Sequence, residues 1–261
     1  MAVTPGVGLQ GMGEGIGDPG VAVTPQTLHT IGQGISSLVT LPSDPYWSSV
    51  VLLAVNDNKA DTTTSFDDQS NSNHTLTAAG NAQYDTAQAP TGMTSSGLFD
   101  GTGDYVTAPA NGDFTFGTGD LTIEMMVRLN SDGAFGVLSA GKSAPHNWLL
   151  LVRADINTLR FVANDAAVVL DQTWSPSTAT WYHIAFVRSG NNWYHFVDGV
   201  QLGTTLTNSA TIQTNNQTVA IGAFNDGANA YDGWISNLRV TKGVARYTAN
   251  FTPPSLPLPT S

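Results

Sequence analysis

The sequence predicts an all-β fold, a two-sheet antiparallel sandwich of the jelly-roll type preceded by a Gly-rich extended N-terminal arm. Short apolar runs that alternate with period 2 recur from Ser43 onward, and such alternation is typical of strands packed on a core. Asp-Gly pairs such as Asp198-Gly199 and Asp232-Gly233 separate many runs and favour tight turns between antiparallel strands. Residues 1–42 differ, because glycine is dense there and the alternation is lacking.

The arm, residues 1–42, contains an imperfect tandem repeat. AVTPGVGLQGMGEGIG begins at Ala2, and AVTPQTLHTIGQGIS begins at Ala22. Glycine at this density loses more backbone entropy on folding than burial of the segment returns. We therefore expect neighbouring copies or a larger assembly to hold the arm. Its candidate anchoring residues are the apolar and proline positions Pro5, Leu9, Met12, Ile16, Pro25, Leu28, Ile31 and Ile35.

Residues 43–261 carry the predicted sandwich, with one helical turn expected near Gly243–Tyr247. The predicted strands are Val50–Val55, Thr75–Ala78, Gly97–Phe99, Tyr105–Ala108, Leu121–Arg128, Phe135–Ala140, Trp148–Arg153, Leu159–Val162, Ala167–Leu170, Trp181–Arg188, Trp193–Val197, Thr218–Ile221 and Gly233–Val240. Many short antiparallel strands in one segment favour two packed sheets over any helical architecture.

The segment from Trp181 to Leu202 predicts a β-meander. Both faces of its first strand are mostly apolar, which indicates a strand covered on both sides. Asp198-Gly199 favours a turn whose two central residues both have positive φ. We interpret His183 and His195 as packed sheet residues rather than acid–base groups, and expect them to be cross-strand neighbours.

Charge and cysteine content exclude several classes of function. The net charge is −11, from 20 acidic and 9 basic residues, which disfavours nucleic acid and anionic membranes as partners. With no cysteine, disulfides and thiolate metal sites are excluded. The sequence shows neither a long apolar span nor a signal peptide, so we expect synthesis in a cytoplasm and no membrane insertion.

Four segments together resemble one known family over roughly residues 46–256. They are FDGTGDYVTAP, FTFGTGDLTIEMMVRL, WYHIAFVRSGNNWYHFVDGVQL and DGWISNLRVTKGVARYTANFTPP, and they resemble the concanavalin A-like lectin/glucanase superfamily in its laminin-G-like branch. The ending LRVTKGVARYTANFTPP is similar to the closing segment of lectin-like domains in bacteriophage structural proteins. The resemblance implies a curved sandwich, binding of carbohydrate or surfaces, and often bound calcium.

Glycoside hydrolases in the same superfamily provide an enzymatic alternative. Such catalysis needs two positioned carboxylates, which retaining relatives present on one strand as Glu-x-Asp-x-Glu. This chain has two glutamates, Glu14 and Glu124, and Glu124 is followed at alternate positions by Met126 and Arg128. That strand therefore lacks a carboxylate pair, and we expect no enzymatic activity.

Calcium is the cofactor that the resemblance implies. It prefers carboxylate and carbonyl oxygens, and the candidate ligands are Asp100, Asp104 and Asp232. Ser236 stands where relatives commonly have an aspartate ligand, which weakens this prediction. The interpretation that we favour is that Asp, Asn and Gly simply form turns at these positions.

An exposed aromatic ring beside amide and carboxylate groups would serve glycan binding. Tyr231 lies in the segment NDGANAYDG, flanked by Asn225, Asp226 and Asn229. Because loops carry many binding residues, we expect an exposed tip with Tyr231 as a platform for sugar rings. The tryptophans of the sandwich are expected mainly in the core.

These observations lead to the hypothesis of a bacteriophage virion structural protein. It would be a capsid decoration (cement) protein, which we favour, or a small tail appendage, made in the host cytoplasm and located on the virion surface. The arm would dock onto major capsid or tail proteins, and a homo-oligomer, for example a trimer, would display the sandwich to surface glycans. A free soluble lectin is the alternative, since it explains the sandwich but not the arm.

Overall fold

In a computed structural model of the chain, the described residues are 43–140, 147–164, 168–213, 217–224 and 226–261. Two antiparallel sheets pack as a sandwich in this part of the chain. Helix is limited there to single 3-10 turns at Trp47–Ser49, Gly112–Phe114 and Ala154–Ile156. The all-β sandwich prediction is confirmed. The arm and all of its candidate anchoring residues lie outside the described residues.

Among the described residues, fifteen strands are divided between the two sheets. They are β1 (Val50–Ala54), β2 (Thr77–Ala79), β3 (Gln83–Asp85), β4 (Ser96–Asp100), β5 (Tyr105–Ala108), β6 (Leu121–Leu129), β7 (Ala134–Ala140), β8 (Trp148–Arg153), β9 (Thr158–Ala163), β10 (Val168–Thr173), β11 (Trp181–Ser189), β12 (Asn192–Val197), β13 (Val200–Thr207), β14 (Val219–Ile221) and β15 (Asp232–Lys242). The eight-stranded sheet has the order β13-β12-β11-β6-β15-β4-β3, with β1 also paired to β15, and the seven-stranded sheet has the order β10-β9-β8-β7-β14-β5-β2.

Most strand predictions agree with the structure, and the differences have local causes. Strands β5 and β8 have the predicted ends. Strand β3 is absent from the predicted set because it is short and polar.

Asp232-Gly233 begins β15 rather than forming a turn, and a Cβ on Gly233 would collide with the Arg128 carbonyl. The predicted helical turn at Gly243–Tyr247 is wrong, since its Ala245 and Tyr247 pack instead against the sheet.

The predicted meander is confirmed, and its turn has the predicted geometry. Strand β11 lies between β12 and β6, with antiparallel pairing on both sides. At the β12–β13 turn, Asp198 has φ 49° and Gly199 has φ 76°, as a turn with two positive φ values requires. This turn fixes the position of the Asp198 carboxylate.

The two faces of the eight-stranded sheet are covered by different parts of the chain. The inner face packs on the other sheet, where the Phe186 ring stacks on Phe161 at 3.8 Å between centroids. The outer face is covered by the C-terminal tail, residues 244–261. There Tyr247 and Phe251 stack at 3.5 Å between centroids and pack on a cluster formed by Ala185, Val187, Tyr194 and Phe196.

Candidate functional site

Buried charges lie on the outer face of the eight-stranded sheet, under the C-terminal tail. At the centre is Glu124 on β6, with Oε1 at 2.7 Å from Arg239 Nη2 on β15. His183 Nε2 on β11 lies 3.1 Å from Glu124 Oε2. The Tyr247 hydroxyl of the tail donates to the same oxygen at 2.8 Å. This ion network therefore joins three strands to the tail.

Asp44 joins the ion network from the start of the described chain. Its carboxylate accepts hydrogen bonds from Arg239 Nη1 at 3.0 Å and from Arg246 Nη2 at 2.7 Å. The Asp44 backbone N–H donates to the Ser261 carbonyl at 2.8 Å. A buried charge without a partner is strongly unfavourable, so the ion pairs of Asp44 with the two arginines are expected to persist. Together with the bond to Ser261, they hold both ends of residues 43–261 to the sheet.

The network keeps its carboxylates ionised. Burial raises the pKa of the Glu124 carboxyl, but the Arg239 charge and the His183 hydrogen bond outweigh burial and bring the pKa to about 2. Burial also opposes ionisation of Asp44, yet the Arg246 hydrogen bond and neighbouring charges leave its pKa below the usual value. Both groups are therefore anions at neutral pH, and an ionised carboxylate only accepts hydrogen bonds.

A cleft of about 500 Å³ opens on the outer face beside the ion network. Met126, Trp181 and His183 line it from the sheet, and Asp198 lines it from the β12–β13 turn. A loop and the tail supply the rest of the lining, namely Ala89, Pro90, Thr91, Gly92, Pro253, Pro254, Ser255 and Leu256. The cleft is thus mainly apolar with a few polar groups, which is the usual character of a small-ligand site.

One polar atom of the lining has no partner in the protein. His183 is 3% exposed, and its Nδ1 is buried without a hydrogen bond. Since the Glu124 carboxylate only accepts, Nε2 carries the hydrogen between them. Buried polar atoms without partners are rare in folded proteins, so a ligand in the cleft is a natural partner for this one.

Trp181 and Asp198 complete the polar and aromatic side of the cleft. Asp198 is exposed, and its Oδ1 accepts a hydrogen bond from the His183 backbone N–H at 2.8 Å. Trp181 begins β11, is half-buried and pairs with Arg128 across the sheet. An aromatic ring, a carboxylate and an imidazole therefore line one space.

His183 and His195 lie on opposite faces of the sheet, so the prediction that they are cross-strand neighbours is wrong. His195 pairs with Phe186 in register, and Phe186 packs in the inner core. His195 Nε2 donates there to the Leu170 carbonyl at 3.2 Å, which agrees with its interpretation as a packed sheet residue. Side chains alternate between the two faces of the sheet along β11 and β12. The two-residue turn between these strands sets a register that puts His183 and His195 on opposite faces.

The Tyr231 side chain is buried, so the prediction that it forms an exposed platform for sugars is wrong. The ring is 0% exposed and lies edge-on to Phe135 and Phe99, at 5.5 Å and 6.4 Å between centroids. The Tyr231 backbone N–H donates to the Gly222 carbonyl at 2.7 Å. This bond draws the end of the loop into the sandwich, where β15 begins.

The residues predicted beside Tyr231 shape the loop. Asp226 and Asn229 are exposed. Asp226 Oδ1 accepts from the Ala228 backbone N–H at 3.0 Å, and Asn229 Nδ2 donates to the Ala134 carbonyl at 3.2 Å. Asn225 lies outside the described residues. Without the Tyr231 ring, this loop has no aromatic platform among its predicted members.

Residues 100–246 match the family described as the concanavalin A-like lectin/glucanases superfamily, in its laminin G form. The chain belongs to this superfamily. No curated protein matches the sequence.

Solved structures of similar fold include a domain of an arabinanase and receptor-binding or binding domains. Domain 4 of the extracellular arabinanase AbnA from Geobacillus stearothermophilus, solved in complex with arabinotriose, has a TM-score of 0.56 at 16% identity, covering 76% of this chain and 94% of its own. The receptor-binding domain of botulinum neurotoxin C/D mosaic serotype has a TM-score of 0.56 at 16% identity, covering 76% and 49%. The binding domain of Paraclostridial Mosquitocidal Protein 1 has a TM-score of 0.57 at 12% identity, covering 76% and 50%. This chain thus spans about half the length of the toxin domains.

Hydrolysis, known in other superfamily members, finds no support in the ion network. Glu124 and Asp44 both bind Arg239, but a general acid needs a carboxyl whose pKa is raised, and these two have lowered values. Both are also buried. The lectin-like domain uses this carboxylate pair for structure.

The three predicted calcium ligands of the lectin-like domain lie on the neighbouring strands β4 and β15 and in the β4–β5 turn. Asp232 pairs with Asp100 between β15 and β4, and Asp104 Oδ2 accepts from the Asp100 backbone N–H at 3.1 Å. Asp104 Oδ1 also accepts from Asn81 N at 2.7 Å. Within the described ranges, no group of three or more His, Asp or Glu could hold a metal ion. This geometry favours the turn-forming interpretation, and calcium stays a prediction.

The cleft was not found from the sequence, although some of its signals were present. Period-2 alternation does place Trp181 and His183 on one face, and the Asp198-Gly199 turn was predicted. The missing information was the path of the C-terminal tail, which supplies Pro253 and its neighbours to the opposite wall. Among the described residues, no helix is long and apolar enough to cross a membrane.

Proposed function

We propose that residues 43–261 form a non-enzymatic lectin-like module that binds glycans in the outer-face cleft. The observation that carries this proposal is the unpartnered His183 Nδ1 in a cleft that also presents Trp181 and Asp198. A sugar ring has apolar C–H faces and a rim of hydroxyl groups. The Trp181 ring matches the apolar faces, and the Asp198 carboxylate and the His183 imidazole match the hydroxyl groups.

Family and fold support the same proposal. The superfamily is described by its lectins and glucanases, and one structural neighbour is a domain solved with arabinotriose bound. The toxin neighbours are receptor-binding or binding domains. Binding is the function common to these structural neighbours. In this chain the buried carboxylates are neutralised by arginines, which favours binding over turnover.

We further propose that the module belongs to a bacteriophage virion, as a capsid decoration protein or a small tail appendage. Its support is in the sequence: the Gly-rich repeat of residues 1–42 and the similarity of the closing segment to phage structural proteins. The arm docks on a major capsid or tail protein, and a homo-oligomer displays the cleft outward from the virion surface. Deletion of the arm would leave a free lectin without this location.

Glycan binding is tested with the full-length protein on a glycan array, followed by calorimetry on the hits. We expect Trp181→Ala to abolish binding. Trp234→Ala is the matched control, because Trp234 is a half-buried ring on the same sheet face outside the cleft lining, and it should keep binding. Absence of any saccharide ligand, or equal loss in both variants, would contradict the proposed cleft.

Virion docking is tested by co-sedimentation with purified particles that lack this protein. The full-length chain should sediment with them, and a chain with Leu9, Met12, Ile31 and Ile35 changed to Ser should not. Equal sedimentation of both chains would contradict docking through the arm, while the glycan result would be unaffected.

A further inference from the structure

We infer that the cleft selects neutral saccharides and rejects acidic ones, because its lining, among the described residues, presents the Asp198 carboxylate and neither lysine nor arginine. This inference rests on the proposed glycan binding and deepens it. It assigns two specificity-determining residues, Asp198 and His183, and a positioning residue, Glu124, which reaches the ligand only through His183.

The ion network behind His183 fixes which ring nitrogen holds the hydrogen when the ring is neutral. Glu124 is held as an anion by Arg239, with Nη2 at 2.7 Å from Oε1. Its Oε2 lies 3.1 Å from His183 Nε2, so the hydrogen of the imidazole is on Nε2. The lone pair of Nδ1, which has no partner in the protein, is then available to a sugar hydroxyl. Buried charges thus set which tautomer the cleft presents.

Asp198 adds a second acceptor with a full negative charge. The hydrogen bond from the His183 backbone N–H at 2.8 Å fixes its Oδ1, and the turn geometry limits its movement. Each hydrogen bond from a sugar hydroxyl to this carboxylate is charge-assisted. A ligand carboxylate would instead meet like charge, which is destabilising in a partly buried site.

Positive charge is absent from the lining, among the described residues. Arg128 is the cross-strand neighbour of Trp181. Its guanidinium lies 4.6 Å from the centroid of the Trp234 ring. Arg128 is therefore engaged with Trp234 rather than with the cleft. The net charge of −11 further disfavours anionic ligands by long-range repulsion.

The size of the cleft fits a short saccharide. Ligand sites of roughly 300–1,000 Å³ hold drug-sized molecules, and the cleft measures about 500 Å³. The proline-rich walls at Pro90, Pro253 and Pro254 add apolar surface without further charge. A ligand with one apolar ring face and adjacent hydroxyl donors satisfies all of these features.

The inference is tested by titrating the full-length protein with matched neutral and acidic probes. Arabinotriose, maltotriose and galactotriose are the neutral probes, and trigalacturonic acid and sialyllactose are the acidic ones. A choline titration tests whether a cation occupies the site instead. We expect at least one neutral probe to bind and the acidic probes to bind roughly tenfold or more weakly, given the value of hydrogen bonds to charged groups.

Two variants make the assignment of residues specific. Asp198→Lys should reverse the order of affinity of neutral and acidic probes, while Asp226→Lys, an equal charge change at an exposed loop outside the cleft, should not.

The ¹⁵N chemical shifts of His183 should show an unprotonated Nδ1, and a bound neutral sugar should perturb that signal. Glu124→Gln, which offers an amide N–H to Nε2, should move the hydrogen to Nδ1 and weaken binding of the neutral probe.

The outcomes separate the inference from the proposed function. If acidic probes or choline bind better than neutral ones at a site that needs Trp181, the cleft binds ligands but the inference of neutral selectivity is overturned. A protonated Nδ1 in the unmodified protein would overturn the tautomer assignment. If no saccharide binds and no probe perturbs His183, the proposed glycan binding itself fails.

Discussion

Arg239 Nη2 lies 2.7 Å from Glu124 Oε1, and both side chains are shielded from water by the C-terminal tail. Removal of one partner from a buried ion pair leaves an uncompensated charge and destabilises a protein by about 3–5 kcal/mol. We therefore expect Arg239→Met to lower the free energy of unfolding by an amount in this range, measured by urea denaturation at neutral pH.

An exposed ion pair between an arginine and a carboxylate is the control for that prediction. Arg153 and Asp155 lie 2.9 Å apart, and surface pairs contribute about 0–1 kcal/mol. Arg153→Met should thus change the free energy of unfolding by less than about 1 kcal/mol. Similar losses in both variants would contradict the special role of the ion network.

Acid should destabilise the domain in two separate pH windows, and His195 accounts for the upper one. Burial lowers the pKa of His195 to about 4 from its usual 6.5. Between these values the unfolded chain binds the proton and the folded chain does not, so stability is full above pH 6.5 and falls toward pH 4. The loss is on the order of 3 kcal/mol.

His195→Gln isolates this effect, because glutamine can still donate to the Leu170 carbonyl but does not titrate. The variant should show a shallower fall in the free energy of unfolding between pH 7 and pH 4 than the unmodified protein. An unchanged slope would show that His195 is protonated equally in both states.

The lower window belongs to Glu124. Its folded pKa of about 2 lies below the usual 4.5, so its contribution is complete above pH 4.5 and is lost as pH falls toward 2. In Glu124→Gln this acid-dependent loss should disappear, although the variant is less stable at neutral pH. The measurement is the difference in free energy of unfolding between the two proteins at pH 5 and at pH 3, which should shrink as pH falls.

Local pattern and turn chemistry were sufficient to predict the sandwich and the meander. The alternation from Trp181 to Arg188 and the Asp198-Gly199 turn depend on residues adjacent in the chain, and both predictions agree with the structure. The Tyr231 prediction failed because the side chain packs on Phe99 and Phe135, contacts that no local pattern reveals. The same polar loop composition fits an exposed and a buried tyrosine.

The cleft and the ion network depend on contacts between distant parts of the sequence. Glu124 and Tyr247 meet across 123 positions, and Asp44 and Arg246 across 202. In the sequence, Glu124 is recognisable as the acidic residue on a mostly apolar strand. That pattern indicates a buried partner, but it does not identify Arg239 or the tail.

Substitutions of Tyr231 test whether its side chain acts as a core residue or as a ligand platform. Because the ring is fully buried between two aromatic neighbours, Tyr231→Ala should lower the free energy of unfolding by about 3–5 kcal/mol, as large aromatic truncations in cores do. Tyr231→Phe, which keeps the ring, should leave glycan affinity unchanged by calorimetry. Lost affinity in the folded Phe variant would restore a direct role in binding.

The final prediction concerns the contact between the β12–β13 turn and the C-terminal tail. Gly199 has φ 76°, and a Cβ there would collide with the Phe251 carbonyl. Gly190, in the β11–β12 turn, has φ 56° but no atom within 4 Å of such a Cβ. Gly190→Ala should therefore cost only the backbone strain of a left-handed residue, about 1–2 kcal/mol. Gly199→Ala adds the collision and should destabilise the domain clearly more.

The collision at Gly199 has a local consequence that thermal denaturation alone would miss. Displacing Phe251 moves the tail segment that continues to Pro253 and the wall of the cleft. We expect hydrogen exchange in residues 247–256 to accelerate in Gly199→Ala and to stay unchanged in Gly190→Ala, with glycan affinity reduced in the first variant alone. Equal exchange in both variants would mean that the tail is held independently of the turn, through the ion network and Leu258 alone.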